Sequence, residues 1–270
     1  VFNKEKVAIK QHQNIQSNHH QNAHVSGTQT KLETMRLERY IAMSGLTSRR
    51  NAVELIKRDG VYVNGTKTKV PSKQVADGTE VTYRGKKLTI QKPVYVVLHK
   101  PTGYLCTAAR GDAAQDHRPS VLDLVAIANT TRLYPVGRLD CTTKGVIVLT
   151  NDGEVTQKLL HPSRGIHKTY KIRLHAPLSE EIQRKILSGV MLEDGFMKAD
   201  RIMVLSANRT TISVSVHSGK HRIVRRMFEC FGYHVVDLER IMFAGITAKG
   251  LAVGQWRYMT SGEIERLMRT

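Results

Sequence analysis

Two apolar runs constrain this chain most: Val94-Tyr95-Val96-Val97-Leu98 and Gly145-Val146-Ile147-Val148-Leu149-Thr150. Each is rich in β-branched residues, too short for a helix, and bounded by turn signals. The first follows Lys92-Pro93 and closes at His99-Lys100-Pro101-Thr102-Gly103; the second ends at Asn151-Asp152-Gly153. Both read as buried strands, so the region around them must supply a sheet with covering layers.

Shorter segments complete that sheet. Lys168 to Leu174 alternates as a strand, and further strands are expected near residues 201–205 and 211–217. Helices are expected from Glu154 to about Leu160, after Ser179 on Ile182, Ile186 and Leu187, and over residues 221–231 before Gly232. Thr260 with Glu263 has capping-box spacing for a last helix. Strands and helices alternate irregularly, often with hairpin spacing. The fold expected is α+β, with a mixed, mostly antiparallel sheet flanked by helices.

Ahead of Lys92 the pattern differs. Leu37, Tyr40, Ile41 and Ser44 share one face of a short helix that stops at Gly45. Thr47 or Ser48 can cap a second helix, with Ala52, Leu55 and Ile56 inward and Gly60 at its end. Val61-Tyr62-Val63 and Asn64-Gly65 then signal a hairpin, and Val81 to Tyr83 turns at Gly85 into Leu88-Thr89-Ile90. Arg36, Arg39, Arg49, Arg50, Lys57 and Arg58 fall on the opposite surface, clustered as phosphate contacts require. Domains are expected over residues 35–92 and 93–270.

Residues 1–34 are rich in Gln, Asn, His and Lys and lack periodic apolar positions, so disorder is expected there. His12, His19, His20 and His24 belong to that polar tail. The tail has neither an arginine before Arg36 nor an apolar core, which argues against transit and secretory signals.

Charge narrows the partner. Lys+Arg 42 against Asp+Glu 23 gives +19, a field that attracts a polyanion. No apolar run approaches a bilayer span, so no membrane partner is expected. Three scattered cysteines, Cys106, Cys141 and Cys230, lack Cys-x-x-Cys spacing; neither a metal site nor a disulfide framework is expected, and a reducing, cytoplasmic setting fits.

Asp140 is the sharpest chemical candidate, in a loop just before the second buried run. Taken alone, it is equally a nucleophile, a charge partner or a turn residue.

Separated motifs resolve this by resemblance. Residues 35–80, with Met35-Arg36-Leu37-Glu38-Arg39-Tyr40-Ile41, Gly45-Leu46-Thr47-Ser48-Arg49-Arg50 and Val61-Tyr62-Val63-Asn64-Gly65, resemble the S-four RNA-binding domain. Gly137-Arg138-Leu139-Asp140, Thr143-x-Gly145 and Leu149-Thr150-Asn151-Asp152-Gly153 resemble the signature of RsuA-type pseudouridine synthases. So do Gly219-x-x-Arg222-x-x-Arg225-Arg226-Met227-Phe228 and Gly232-Tyr233-x-Val235-x-x-Leu238-x-Arg240, and the similarity spans residues 35–270 in order. Two departures stand out. The late motif reads Arg222-Ile223-Val224-Arg225-Arg226, without the family's usual Gln, and Cys141-Thr142 follows the Asp.

The resemblance implies isomerisation of a uridine in ribosomal RNA without a cofactor. Asp140 would be the essential carboxylate. Tyr170 would pack on the flipped base, and Arg225, with Arg222 as the alternative, would pair with Asp140. Arg138 would wedge or hold the displaced strand. Helical spacing sets Ile223, Val224, Met227, Phe228 and Phe231 inward and leaves Arg222, Arg225 and Arg226 on the outer face. Leu160-His161-Pro162-Ser163 and the 231–240 stretch lean towards the large-subunit enzymes; transfer RNA is used by one relative. The substrate so implied is ribosomal RNA or a pre-ribosomal particle, and a monomer with no obligate protein partner is expected. The competing reading is a catalytically idle RNA-binding assembly factor on the same fold. A deaminase would need zinc-ligand spacing that this chain lacks.

Overall fold

A computed structural model describes residues 34–108 and 117–270. The expected disorder of the N-terminal tail, and most of the polar 107–119 loop, lie outside the described residues.

The chain opens with β1 (Thr34–Arg36), α1 (Leu37–Met43), α2 (Arg49–Asp59), β2 (Val61–Val63), β3 (Thr66–Thr68), β4 (Gln74–Ala76), β5 (Val81–Tyr83) and β6 (Lys86–Leu88). Ser48 is the cap of α2, its Oγ accepting from the Asn51 N–H at 3.1 Å. Asn64 and Gly65, with φ of 47° and 75°, make the tight turn between β2 and β3 that their identities signal. Leu37 and Ile41, one turn apart on α1, meet Ala52 and Ile56 of α2, Val61, Val63 and Val81 in one apolar core. The short strand β1 was not evident in the sequence. It forms because β4 pairs with it and the Lys73 and Pro71 carbonyls take the Leu37 and Glu38 N–H groups, partners more than thirty residues away.

The remainder comprises β7 (Tyr95–Lys100), β8 (Tyr134–Pro135), β9 (Lys144–Thr150), α3 (Gly153–Leu160), β10 (Lys168–Leu174), α4 (Glu180–Ser188), β11 (Val190–Leu192), β12 (Gly195–Met197), β13 (Arg201–Val204), β14 (Thr211–Val216), α5 (Ile223–Glu229), β15 (Val235–Phe243), β16 (Trp256–Tyr258) and α6 (Ser261–Arg269). One eight-stranded sheet runs β13-β14-β10-β15-β9-β7-β16, with β8 beside β9. Every pairing in it is antiparallel except β15 with β9, as the α+β expectation requires. None of the described helices is long and apolar enough to cross a membrane.

The two apolar runs form the middle of this sheet because each faces two cores. Val97, Val146 and Val148 point into a cluster with Val155, Leu159 and Leu267. Val96, Leu98, Ile147 and Leu149 point the other way, onto Val121, Leu122 and Leu133. Period-two alternation therefore yields a continuous apolar sequence instead of an alternating one. A third cluster holds Ile172, Ile212 and Val214 against Ile223, Met227 and Phe228 of α5.

The expected helix over 221–231 is corrected to Ile223–Glu229. Arg222 has φ 49° and ψ 29°, a left-handed conformation that cannot continue into a right-handed helix. At the other end Gly232, with φ 76°, closes the run as expected.

Candidate active site

The carboxylate-bearing loop joins β8 to β9 and is held from several sides. Leu139 N–H donates to the Cys106 Sγ at 3.3 Å, and Gly103 N–H donates to the Cys141 carbonyl at 2.9 Å. The Thr143 N–H donates back to the Asp140 carbonyl at 2.9 Å, closing a turn around Asp140 itself. Beneath it lies Lys100, fully buried at the end of β7. Its ammonium donates to the carbonyls of Pro101 (2.9 Å), Asp140 (3.2 Å), Cys141 (3.4 Å) and Thr143 (2.8 Å). Burial pushes this lysine below its usual pKa, and the attraction of Cys106, Cys141 and Asp140 opposes that. A buried cation without partners costs several kcal/mol, roughly what four carbonyl dipoles here offset.

Gly145 lets β15 approach. Its φ is 123°, and a Cβ there would stand 2.2 Å from the Arg240 carbonyl oxygen. Arg240 is 2% exposed, donates from Nε to the Val146 carbonyl at 2.9 Å and lies over the Phe243 ring at 4.8 Å. Across from it on β10 is Tyr170, which packs against two of the apolar clusters and so sits at their seam.

These elements enclose a cleft of about 1640 Å³. Asp140 and Tyr170 both line it, with Arg138, Lys168, Arg222 and Arg240. Among the described residues, Asp140 is the only carboxylate in the lining. Ile223 takes the position of the family's usual Gln and presents an apolar wall, 5% exposed.

The late arginines separate. Arg222 is exposed at the cleft rim. Arg225 is not on an outer face: it is 9% exposed and donates from Nη1 to the Val235 carbonyl at 2.7 Å, while Nε has no partner among the described residues. Arg225 and Asp140 are not in ion-pair contact here: among the described residues no cation lies within 4.0 Å of that carboxylate. Burial pulls the Arg225 pKa down and Arg222 adds to this, whereas attraction to Asp140 acts upward over longer range. Arg226 turns away from the cleft and binds Asp194, with Nη1 at 3.0 Å from Oδ2.

In the first domain the six basic residues differ in availability. Arg49 donates to Glu38 at 3.2 Å and Arg58 grips Asp59 at 2.7 and 3.1 Å. Arg39 binds Glu154. Arg36, Arg50 and Lys57 are exposed and, among the described residues, have no ion pair.

Lys100, Lys168 and Arg240 were missed as site residues. A lysine at the end of an apolar run reads as a solvated strand end, because lysine is almost never fully buried. Three of the four carbonyls that justify its burial belong to another segment.

The model for the RNA pseudouridylate synthase family matches residues 94–230, just over half the chain, and the S4 domain model matches residues 35–81. The chain belongs to the RNA pseudouridine synthase family. This synthase is 37% identical over 237 residues to the ribosomal large subunit pseudouridine synthase B of Bacillus subtilis (strain 168), spanning 86% of the chain and 95% of the relative. It is 30% identical over 239 residues to the dual-specificity RNA pseudouridine synthase RluF of Escherichia coli (strain K12), spanning 87% and 79%. A crystal structure of a pseudouridylate synthase superposes with TM-score 0.61 at 28% identity, covering 86% of this chain and 99% of that one. The synthase is thus an isomerase of uridine in RNA, and the domain order expected from the sequence matches that of the two family models.

Proposed function

We propose that this synthase isomerises one uridine of large-subunit ribosomal RNA, with Asp140 as the essential carboxylate. The observation that carries this assignment is the position of Asp140 as the lone acid, among the described residues, in a cationic cleft that also holds Tyr170. The name of the 37% identical relative supports the large subunit as target. Residues 35–92 grip the RNA and residues 93–270 perform the chemistry. The substrate is ribosomal RNA, free or in a pre-ribosomal particle, met in the cytoplasm by a monomer.

The target uridine leaves its stack to reach the cleft, because its ring is otherwise shielded. Tyr170, anchored at the seam of two cores, offers a flat face for the base. Asp140 acts as nucleophile or charge stabiliser while the C–N glycosidic bond breaks; the ring turns, and a C–C bond to ring carbon 5 replaces it. The proton on carbon 5 then leaves, with Tyr170 placed to help. Arg225, drawn to Asp140 at long range, closes on the carboxylate when RNA displaces water and lowers the local dielectric. Arg138, exposed beside Asp140, holds the strand opposite the flipped base.

The test is pseudouridine mapping by carbodiimide-stop primer extension across both ribosomal RNAs. Cells with the gene, without it, and with Asp140→Asn are compared. One large-subunit site absent from the last two is the expected result. Retained modification in Asp140→Asn removes Asp140 from the chemistry, and no lost site anywhere favours an idle assembly factor.

A further inference from the structure

Lys168 opens β10 two residues before Tyr170, so the two side chains leave the strand on the same face, and both line the cleft. Its position alone suggests a phosphate-binding lysine. Its hydrogen bonds say otherwise. The Nζ donates to the carbonyls of Ile166 at 3.2 Å, His217 at 3.1 Å and Ser218 at 3.4 Å, which occupies all three ammonium hydrogens. Ile166 belongs to the chain entering β10, and His217 and Ser218 to the chain leaving β14.

The loop so gripped has no apolar anchor of its own. His217, Gly219, His221 and Arg222 are exposed, and Gly219 offers no side chain to pack. Six residues after Val216 ends β14, Arg222 adopts its left-handed conformation and starts α5. Lys220, which also lines the cleft, is already engaged with Asp194. Arg222 is therefore the cation of this loop that is left facing the rim, and its placement depends on how the preceding backbone is held.

We propose that Lys168 is a positioning residue for RNA capture, whose ammonium fixes the 217–222 loop to the Tyr170 strand and thereby aims Arg222 at the RNA backbone. The inference rests on the assignment of this cleft as the RNA-binding active site. Burial, with a smaller push from Arg240, lowers the pKa of Lys168, as befits a lysine enclosed by the fold. Lys168 acts through the loop rather than by touching phosphate, and that distinction can be measured.

A double-mutant cycle on the full chain separates the two roles. RNA affinity by filter binding and single-turnover isomerisation are measured for wild type, Lys168→Met, Arg222→Ala and the double variant, with Asp140→Asn as control. Lys168→Met is expected to weaken binding by roughly tenfold, with KM rising more than kcat falls, and to flatten the salt slope by about one charge. On the Arg222→Ala background the same change is expected to add less than about twofold, because its route to RNA has already gone. Lys168→Arg, which keeps the charge and several donors, recovers part of the loss and serves if Lys168→Met fails to fold. Full additivity of the two losses, or wild-type binding in Lys168→Met, overturns the proposal. Turnover in Asp140→Asn would sink the active-site assignment instead, and binding would still report on Lys168.

Discussion

At Gly145 a missing methyl group decides how closely two strands can lie. The strand pair β15–β9 is parallel and meets at Glu239–Lys144 and Arg240–Gly145. A Cβ at 2.2 Å from a carbonyl oxygen must displace backbone, and the φ of 123° is strained for any L side chain. Gly145→Ala is therefore expected to cost about 3 kcal/mol or more and to lower activity further by shifting the Asp140 loop. Urea unfolding followed by circular dichroism reads this directly; an unchanged midpoint would contradict the close approach. Asp140→Asn behaves in the opposite way. It is expected to keep shape and RNA binding but to reduce turnover by at least about a thousandfold, as loss of an essential carboxylate does.

Among the elements, α6 carries its own acid sensitivity. Thr260 and Glu263 form the capping box that their spacing signals. The structure adds Arg257 of β16, whose guanidinium meets both Glu263 oxygens at 2.7 Å. That double hydrogen bond, helped by the Thr260 N–H and opposed by burial, holds the Glu263 pKa down at about 2. A folded pKa below the unfolded value of about 4.5 stabilises the fold above pH 4.5, and the contribution disappears as pH falls towards 2. With the partial exposure of Arg257 allowed for, it amounts to about 2 kcal/mol. Arg257→Met should lower the urea midpoint at pH 7 and reduce its loss on acidification between pH 4.5 and 2.5. Parallel midpoint curves for the two proteins would show that the pair contributes nothing.

For the whole molecule the relevant quantity is the field of a chain with charge +19. Which cations touch RNA depends on which are already engaged. Arg58 is held by Asp59, so Arg58→Ala should change affinity by less than about twofold. Arg50→Glu combined with Lys57→Glu reverses two exposed charges without ion pairs among the described residues. The pair should weaken RNA binding by tenfold or more at low salt and lower the slope of log affinity against log salt by about two. An unchanged slope would move the electrostatic anchor from the first domain to the cleft rim.

Local chemistry was legible wherever neighbours in sequence suffice. Ser48, the Asn64-Gly65 turn, Ser179 as the cap of α4 and the Thr260–Glu263 box follow from groups within three residues of one another. The two buried runs were legible because covering both faces of a strand leaves no polar position. The sequence by itself thus determined the helices to within a turn, the two central strands, the α+β class and, through motif order, the family. Tertiary structure alone decided the pairing of β1 with β4, the separation of Arg222, Arg225 and Arg226, and the burial of Lys100 and Arg240. The physical reason is clearest at Lys100. A buried ammonium is tolerable only where carbonyls converge on it, most of them here from a distant segment, and convergence is a property of the folded chain, not of the residue.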